Sequence, residues 1–175
     1  LMESRNSVRN ITAHLLEKGR TLPGFMGDIG YAQSNRERYE GFCQALMDAG
    51  KTPNPSLCLT TPLGIDSYRE EIDSFLSSLS RMPDAFVCAS DYVACILMQL
   101  LEKRGLRVPE DVAVSGFDNN IEDLLAENLT TVQVFNEELG SRLALQILYR
   151  IKYPHTPHEV TYLESKVLYR ASTGD

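Results

Sequence analysis

The sequence lacks the short motifs that most enzymes carry. It contains no P-loop, no GxGxxG dinucleotide fingerprint and no GxSxG nucleophile motif. Its three histidines, His14, His155 and His158, do not stand beside a serine or cysteine in a nucleophile motif. The segment GDIG at 27–30 is too short to cradle a phosphate. We therefore expect a binding protein without a cofactor rather than an enzyme.

Metal-ligand spacing is also missing. The four cysteines, Cys43, Cys58, Cys88 and Cys95, form no CxxC pair and have no histidine at zinc-site spacing. All four lie in apolar segments, which is typical of small buried thiols. Free thiols suit a reducing compartment, so the sequence predicts a cytoplasmic protein without a metal site.

Neither a basic cluster nor a long apolar run is present. The chain carries 17 basic and 24 acidic side chains, for a net charge of -7, so these residues should not contact nucleic acid through its phosphates. No run approaches the ~18 apolar residues of a membrane span, and no signal peptide is seen. The chain opens directly on a helical pattern without an initiator-like start, so we expect a fragment of a longer protein.

The sequence does contain a regular alternation of strands and helices. It is 175 residues long and 43% hydrophobic, enough for one domain with a core. Apolar runs predict strands at 24–28, 56–60, 84–89, 112–116 and 130–134, and helical periodicity predicts helices at 8–16, 34–50, 65–79, 91–105, 120–127 and 139–151. The predicted fold class is three-layer α/β/α with a mainly parallel sheet.

Polar side chains stand where several predicted strands end. The stretch VAVSGFDNN at 112–120 passes from an apolar strand directly to Asp118, while Asp28 and Asp91 follow two other strands. Arg38 lies on the first turns of the helix after the first strand. Ligands of open parallel sheets bind at the carboxyl ends of the strands. Carboxylates and a guanidinium are good partners for vicinal hydroxyls, so this edge predicts a site for a sugar or polyol.

These polar residues also have structural interpretations. Ser90 or Asp91 could be the N-cap of the helix that follows them. The two asparagines at 119–120 are good turn formers. Arg38 could pair with Glu37 or Glu40 on its own helix, although those spacings are poor for side chains on one face. Asp118 is the hardest to explain structurally, because it sits directly off an apolar strand.

Several motifs follow one another in a fixed order, namely SNRERYEGF at 34–42, PDAFVCASDYVACILMQLLEKRGLRVPEDVAVSGFDNN at 83–120, LTTVQVFNEELGSRLALQIL at 129–148 and an LxxRxST pattern at 168–173. In this order they resemble the lactose-repressor (LacI/GalR) family of bacterial transcription regulators. Each motif alone is weak, but the resemblance is nearly collinear over the whole chain.

The resemblance implies a periplasmic-binding-protein-like type I fold. Residues 1–175 would form the C-terminal subdomain of the effector-binding region, without the family's N-terminal helix-turn-helix and most of the N-terminal subdomain. The segment 136–151 corresponds to the crossover that packs on that absent subdomain. Its apolar stripe should therefore show either unusual packing or an intermolecular contact.

The resemblance also assigns candidate binding residues. Arg38 matches the arginine that binds the effector, and Asp118 matches the aspartate of the GFD motif. Ser90 and Asp91 match an Asn-Asp pair, with serine in place of the usual asparagine. Val134 is apolar where some relatives carry a polar group. The predicted ligand-binding set is Ser34, Arg38, Ser90, Asp91, Asp118 and Asn136, and Ser34 is also predicted as the N-cap of its helix.

The function implied is that of an effector-sensing domain in a DNA-binding transcription regulator, a repressor that responds to a sugar. Its partners would be this small molecule, operator DNA through a helix-turn-helix outside this chain, and a second copy in a homodimer. Ile96 and Leu124 are candidates for the dimer interface, with core packing as the alternative. A sugar-binding protein of an ABC transporter, which shares the fold, is the main alternative function, and a flavodoxin-like enzyme is a third.

Overall fold

A computed structural model describes residues 1–64, 66–120 and 127–175 of the chain. Its helices are α1 (Arg5–Glu17), α2 (Gln33–Asp48), α3 (Tyr68–Ser78), α4 (Asp91–Lys103) and α5 (Asn136–Lys152). Its strands are β1 (Pro23–Met26), β2 (Cys58–Leu59), β3 (Ala85–Cys88), β4 (Ala113–Ser115), β5 (Thr131–Gln133) and β6 (Lys166–Leu168). The helix predicted near 120–127 lies almost entirely outside the described residues, as does Leu124.

Four of these strands form one parallel sheet in the order β2-β1-β3-β4. Phe25 of β1 is paired with Cys58 on one side and with Val87 on the other. A parallel bridge joins Ser115 of β4 to Thr130, the residue just before β5. Strand β5 pairs with β6 in antiparallel orientation. The predicted parallel sheet is confirmed, and the carboxyl ends of its strands share one edge.

Helices cover both faces of this sheet. Phe25 and Val87 pack with α1 and α2 on one face, whereas Met26 and Phe86 pack with α3 and α4 on the other. Successive side chains of a strand point to opposite faces, so each strand contributes to both clusters. The three-layer α/β/α prediction is confirmed. Ile96, a candidate for a dimer contact, is buried in the second cluster.

The prediction that Ser34 caps helix α2 is wrong. The N-cap is Ala32, whose backbone is extended, and Ser34 lies inside the first turn. The loop before the helix decides this start. The Asp28 carboxylate accepts hydrogen bonds from the backbone N–H groups of Gly30 and Tyr31 at 2.7 and 3.1 Å. This local turn positions the chain so that the helix begins two residues before the expected start.

Helix α5 differs from the other helices because none of its residues is buried. Five large apolar side chains on it are 52 to 73% exposed, namely Leu143, Leu145, Ile147, Leu148 and Ile151. The apolar stripe predicted for 136–151 is therefore present and uncovered in this chain. Among the described residues, no helix is both long and apolar enough to cross a membrane.

Candidate functional site

The turn after β4 has an unusual backbone. Asp118 and Asn119 both have positive φ angles, 113° and 49°, a region that non-glycine residues seldom adopt. The N–H of Asp118 donates to the carbonyl of Val132 at 3.1 Å. The Asn119 side chain is held by Gln133 and by Arg170, whose guanidinium donates to its amide oxygen at 2.9 Å. The interpretation of Asn119 as a turn residue is confirmed.

Asp91 lies beneath this turn and supports it. It is only 2% exposed, and its carboxylate accepts from the Thr131 hydroxyl at 2.6 Å and from the backbone N–H groups of Asn119 and Asn120. Burial raises the pKa of the carboxyl, while these hydrogen bonds oppose the rise. Of the two candidate caps of α4, Ser90 is confirmed, and Asp91 is the first residue of the helix, so its interpretation as the cap is wrong.

Arg38 reaches from α2 to the carboxyl edge of the sheet. One terminal nitrogen donates to the carbonyl of Ala89, and the other lies 3.5 Å from the Asp118 carboxylate. The guanidinium carbon is 3.6 Å from the ring centroid of Phe117, a cation–π contact. The side chain is nearly fully buried, and its Nε has no hydrogen-bond partner among the described residues. The alternative pairing of Arg38 with Glu40 is wrong, because Glu40 pairs with Arg5.

Burial perturbs both charged groups of this pair. It raises the pKa of Asp118 to about 6, against the opposing effect of Arg38. It also lowers the pKa of Arg38, and the nearby carboxylates of Asp118, Asp91 and Glu37 oppose that change in turn. The ion pair therefore compensates only part of the cost of burying the Asp118 charge. Charged groups whose pKa values are perturbed in this way are candidates for a functional site when they line a cleft.

We expect Asp118→Asn to stabilise the protein at neutral pH. A carboxyl whose folded-state pKa is raised favours folding below its unfolded value and loses that contribution as pH rises through about 6. The increase in the free energy of unfolding caused by Asp118→Asn should therefore be absent near pH 4. Above pH 6.5 it should reach about 1 kcal/mol, after allowance for solvent screening. Thermal unfolding measured between these pH values tests this, and asparagine also tolerates the positive φ.

Asp111→Asn provides a control of opposite sign. Asp111 is exposed, and its hydrogen bonds with Arg107 lower its pKa to about 2. Its ionised form favours folding above its unfolded pKa, so the asparagine variant should be less stable than the parent at pH 7. If both variants shift the melting temperature in the same direction at pH 7, the assignment for Asp118 is contradicted.

A cleft of about 930 Å³ opens beside these residues. Ser34, Arg38 and Asp118 line one wall together with Val134, and α5 and the segment 159–163 line the other. The structure therefore brings together three of the six predicted site residues at one cleft.

The other predicted residues lie elsewhere. Asp91 is buried beneath the turn, and the Ser90 hydroxyl accepts from the backbone N–H of Val93 at 3.3 Å as the cap of α4. Asn136 is exposed at the first position of α5. Asp28, expected at the same edge, uses its carboxylate within its own loop.

Glu37 is a cleft residue that the sequence interpretation treated only as a partner for Arg38. It is 7% exposed, and its Oε1 accepts from Gln33 Nε2 at 3.3 Å and from the Tyr162 hydroxyl at 3.2 Å. Tyr162 lies 125 residues further along the chain. Helical periodicity could not show that burial, and the only signal was the adjacency of an acid to Arg38.

The structure offers no evidence of a metal site within the ranges it describes. No group of three or more His, Cys, Asp or Glu side chains there has metal-binding geometry. None of the four cysteines forms a disulfide, and two of them are buried and two partly buried.

Comparison with known proteins identifies the family to which this architecture belongs. Residues 12–173 match the family described as periplasmic binding protein-like domain. The HTH-type transcriptional repressor PurR of Aliivibrio salmonicida is 29% identical over 163 residues, which are 92% of this chain and 48% of that protein. The chain thus spans about half the length of the curated relatives it matches.

Two solved structures share the fold and more than a quarter of the sequence. One, from Sanguibacter keddieii and described as a LacI-family transcriptional regulator, has a TM-score of 0.84 at 28% identity. The match covers 99% of this chain and 66% of the Sanguibacter chain. The other, the transcriptional regulator CelR in complex with cellobiose, has a TM-score of 0.85 at 27% identity, covering 98% and 52%. The chain therefore belongs to the periplasmic binding protein-like family and, within it, to the effector-binding region of LacI-family transcription regulators.

Proposed function

We propose that this chain is the effector-sensing part of a DNA-binding transcriptional repressor that responds to a sugar or a similar small molecule. Its relatives include proteins named as transcriptional repressors and regulators, and the CelR structure holds cellobiose. These names favour a regulator over the binding protein of an ABC transporter. They equally favour a non-catalytic protein over an enzyme.

The observation that carries the proposal is the loose pairing of Arg38 and Asp118 at the cleft wall. Their side chains stand 3.5 Å apart, and the buried Nε of Arg38 has no partner within the described residues. Buried polar groups are normally fully hydrogen-bonded, so these groups have capacity for a ligand. A pair of vicinal hydroxyls would accept from the guanidinium and donate to the carboxylate.

In this proposal, the other predicted residues either contact the effector or position the residues that do. Ser34 lines the cleft beside Arg38. From there it would contact the effector from the same helix. Asp91 positions Asp118 through its bonds to the turn, and Ser90 sets the start of α4 below it. Asn136 would contact the effector from the first turn of α5, at the entrance to the second subdomain.

The exposed face of α5 supports a division of the chain into subdomains. Residues 1–175 would form the C-terminal subdomain, and 136–151 would be the crossover whose apolar stripe packs on an N-terminal subdomain supplied by the rest of the protein. The cleft then lies between the two subdomains. An effector with different affinity for their two arrangements shifts the balance between them.

This switch would act on DNA-binding heads outside the chain. The proposed protein is a cytoplasmic homodimer, with a helix-turn-helix on each copy contacting operator DNA. The net charge of -7 over the 175 residues makes this chain a poor surface for phosphates, so DNA contact falls to that other module.

Isothermal titration calorimetry of the full-length protein against a sugar panel tests the effector site. The double variant Arg38→Ala/Asp118→Ala should lose detectable binding, because the guanidinium and carboxylate are the groups proposed to bind the hydroxyls. Asp118→Asn, which should fold at least as well as the parent, should weaken binding by at least tenfold. Electrophoretic mobility shifts with genomic fragments then show whether the bound sugar alters DNA affinity.

Asp73→Asn is a matched control for these variants, because its carboxylate pairs with Arg104 on the opposite face of the sheet. It should bind the sugar as the parent does. Sugar binding that survives the double variant would contradict the site assignment. A sugar that binds without changing DNA affinity would contradict the regulatory function.

A further inference from the structure

Glu37 lies in the wall of the cleft, so an uncompensated charge on its carboxylate affects any ligand that binds there. It precedes Arg38 on α2, and both residues line the cleft with Asp118. Glutamate is seldom so nearly buried unless it is paired with a cation. The surroundings of Glu37 therefore decide the charge that a ligand meets.

The hydrogen bonds that hold Glu37 come from neutral donors. Gln33 donates an amide N–H and Tyr162 donates its hydroxyl, both to Oε1. The carboxylate raises the pKa of the Tyr162 phenol, which keeps that donor protonated. These bonds stabilise the Glu37 charge without neutralising it. Among the described residues that line the cleft, the cation that faces Glu37 is Arg38.

Arg38 is shared among three carboxylates. Asp118 lies 3.5 Å from it, and Asp91 and Glu37 are close enough to act on its pKa. Asp91 is also faced by Arg170, so two guanidinium groups face three acidic groups, and Asp118 and Glu37 share Arg38. This part of the cleft therefore carries an excess of negative charge.

The opposite wall does not correct that excess. Its cation, Arg142, pairs with Glu138 on the same helix at 2.7 Å. Glu159 also lines the cleft, and its carboxylate accepts from the neutral amide of Gln146 at 2.9 Å. The two basic side chains described on these walls, Arg38 and Arg142, therefore each already face at least one acid.

We propose that Glu37 is a charge-selecting residue of the cleft, so that the effector is an uncharged, hydroxyl-rich molecule and its phosphorylated counterpart is rejected. This inference rests on the proposed function, since it concerns the same effector site. A neutral polyol donates hydroxyls to the carboxylates and accepts from Arg38. A phosphate placed there meets like charges a few ångströms away, which is expected to weaken binding by about 10- to 100-fold.

The test uses matched pairs of probes with the full-length protein. Glucose, fructose and ribose are compared with glucose 6-phosphate, fructose 6-phosphate and ribose 5-phosphate, and cellobiose with cellobiose 6-phosphate, by calorimetry at pH 7.5. The parent should bind the neutral member of at least one pair, and the phosphorylated member at least tenfold more weakly. This ratio should shrink as salt is raised, because ions screen the repulsion.

Glu37→Gln keeps the shape and an acceptor for Tyr162 but removes the charge. It should reduce the neutral-to-phosphorylated affinity ratio by at least fivefold and weaken its salt dependence. Glu70→Gln, an exposed acid on α3 across the sheet, should leave the ratio unchanged. If Glu37 only holds Tyr162 in place, Glu37→Gln would weaken the binding of the neutral and the phosphorylated probe equally. The affinity ratio would then be unchanged, which overturns the proposal.

Two further outcomes bear on this proposal and on the function on which it rests, and the first of them separates the two. A parent protein that binds a phosphorylated member as tightly as its neutral partner, and releases DNA in response, overturns charge selection while upholding the regulator. Failure of every probe to bind counts against both.

Discussion

Replacing Arg38 with methionine is expected to lower the free energy of unfolding by about 3 kcal/mol and to abolish effector binding. Methionine fills much of the volume over the Phe117 ring but carries no charge. The change leaves the partly buried Asp118 and the buried Glu37 and Asp91 without the cation that they share. Removing one partner of a buried ion pair typically costs several kcal/mol, because the remaining charge is uncompensated.

Two variants separate the structural loss from the loss of binding. Arg36→Met changes an exposed arginine on the same helix and should leave both the unfolding midpoint and the affinity close to the parent's. Arg38→Lys keeps a charge but loses the planar fork, so it should retain most of the stability while binding at least tenfold more weakly. Chemical denaturation and calorimetry on the full-length protein measure both quantities. An Arg38→Met protein as stable as Arg36→Met would contradict the shared role of this guanidinium.

Gly41→Ala is expected to destabilise the protein by about 2–3 kcal/mol, although alanine is the better helix former. A Cβ at Gly41 of α2 would lie 2.2 Å from the backbone oxygen of Arg5 on α1. Backbone cannot rotate away as a flexible side chain does, so the two helices must separate. That movement loosens the packing of Val8 and Phe42 in the cluster beneath them.

Gly140 on α5 is the matched control for this substitution. It also lies in a helix interior, but an added Cβ there meets nothing within 4 Å. Gly140→Ala should therefore stabilise the protein by up to about 1 kcal/mol through helix propensity alone. Guanidinium unfolding midpoints of the two variants should move in opposite directions. A Gly41→Ala midpoint at or above the parent's would show that α1 and α2 do not approach as closely as the structure indicates.

Most of the secondary structure followed from local patterns. The period of 3.6 in the helical segments and the short apolar runs between them locate all five described helices and the parallel strands to within a few residues. The errors fall at helix starts, where contacts outside the helix intervene. At α2 the Asp28 turn moved the start, so Ser34 became an interior residue instead of a cap.

The candidate site was predictable to a similar degree. Asp118 follows an apolar strand and Arg38 follows another, so parallel topology alone brings both to one edge. Which further acids join them was not predictable. Asp28 turned back on its own loop, while Glu37 was brought into the cleft wall by Tyr162, which is remote in sequence.

The sequence by itself determined the layered α/β/α fold, the family and the edge of the sheet where Asp118 stands. These follow from periodicity, strand–helix alternation and motif order, all of which are local or collinear along the chain. Only the tertiary structure decided that Asp91 lies under the turn, that Glu37 lines the cleft, and that α5 keeps its apolar face exposed. Burial and charge compensation depend on neighbours far apart in sequence, and these become known only when the chain has folded.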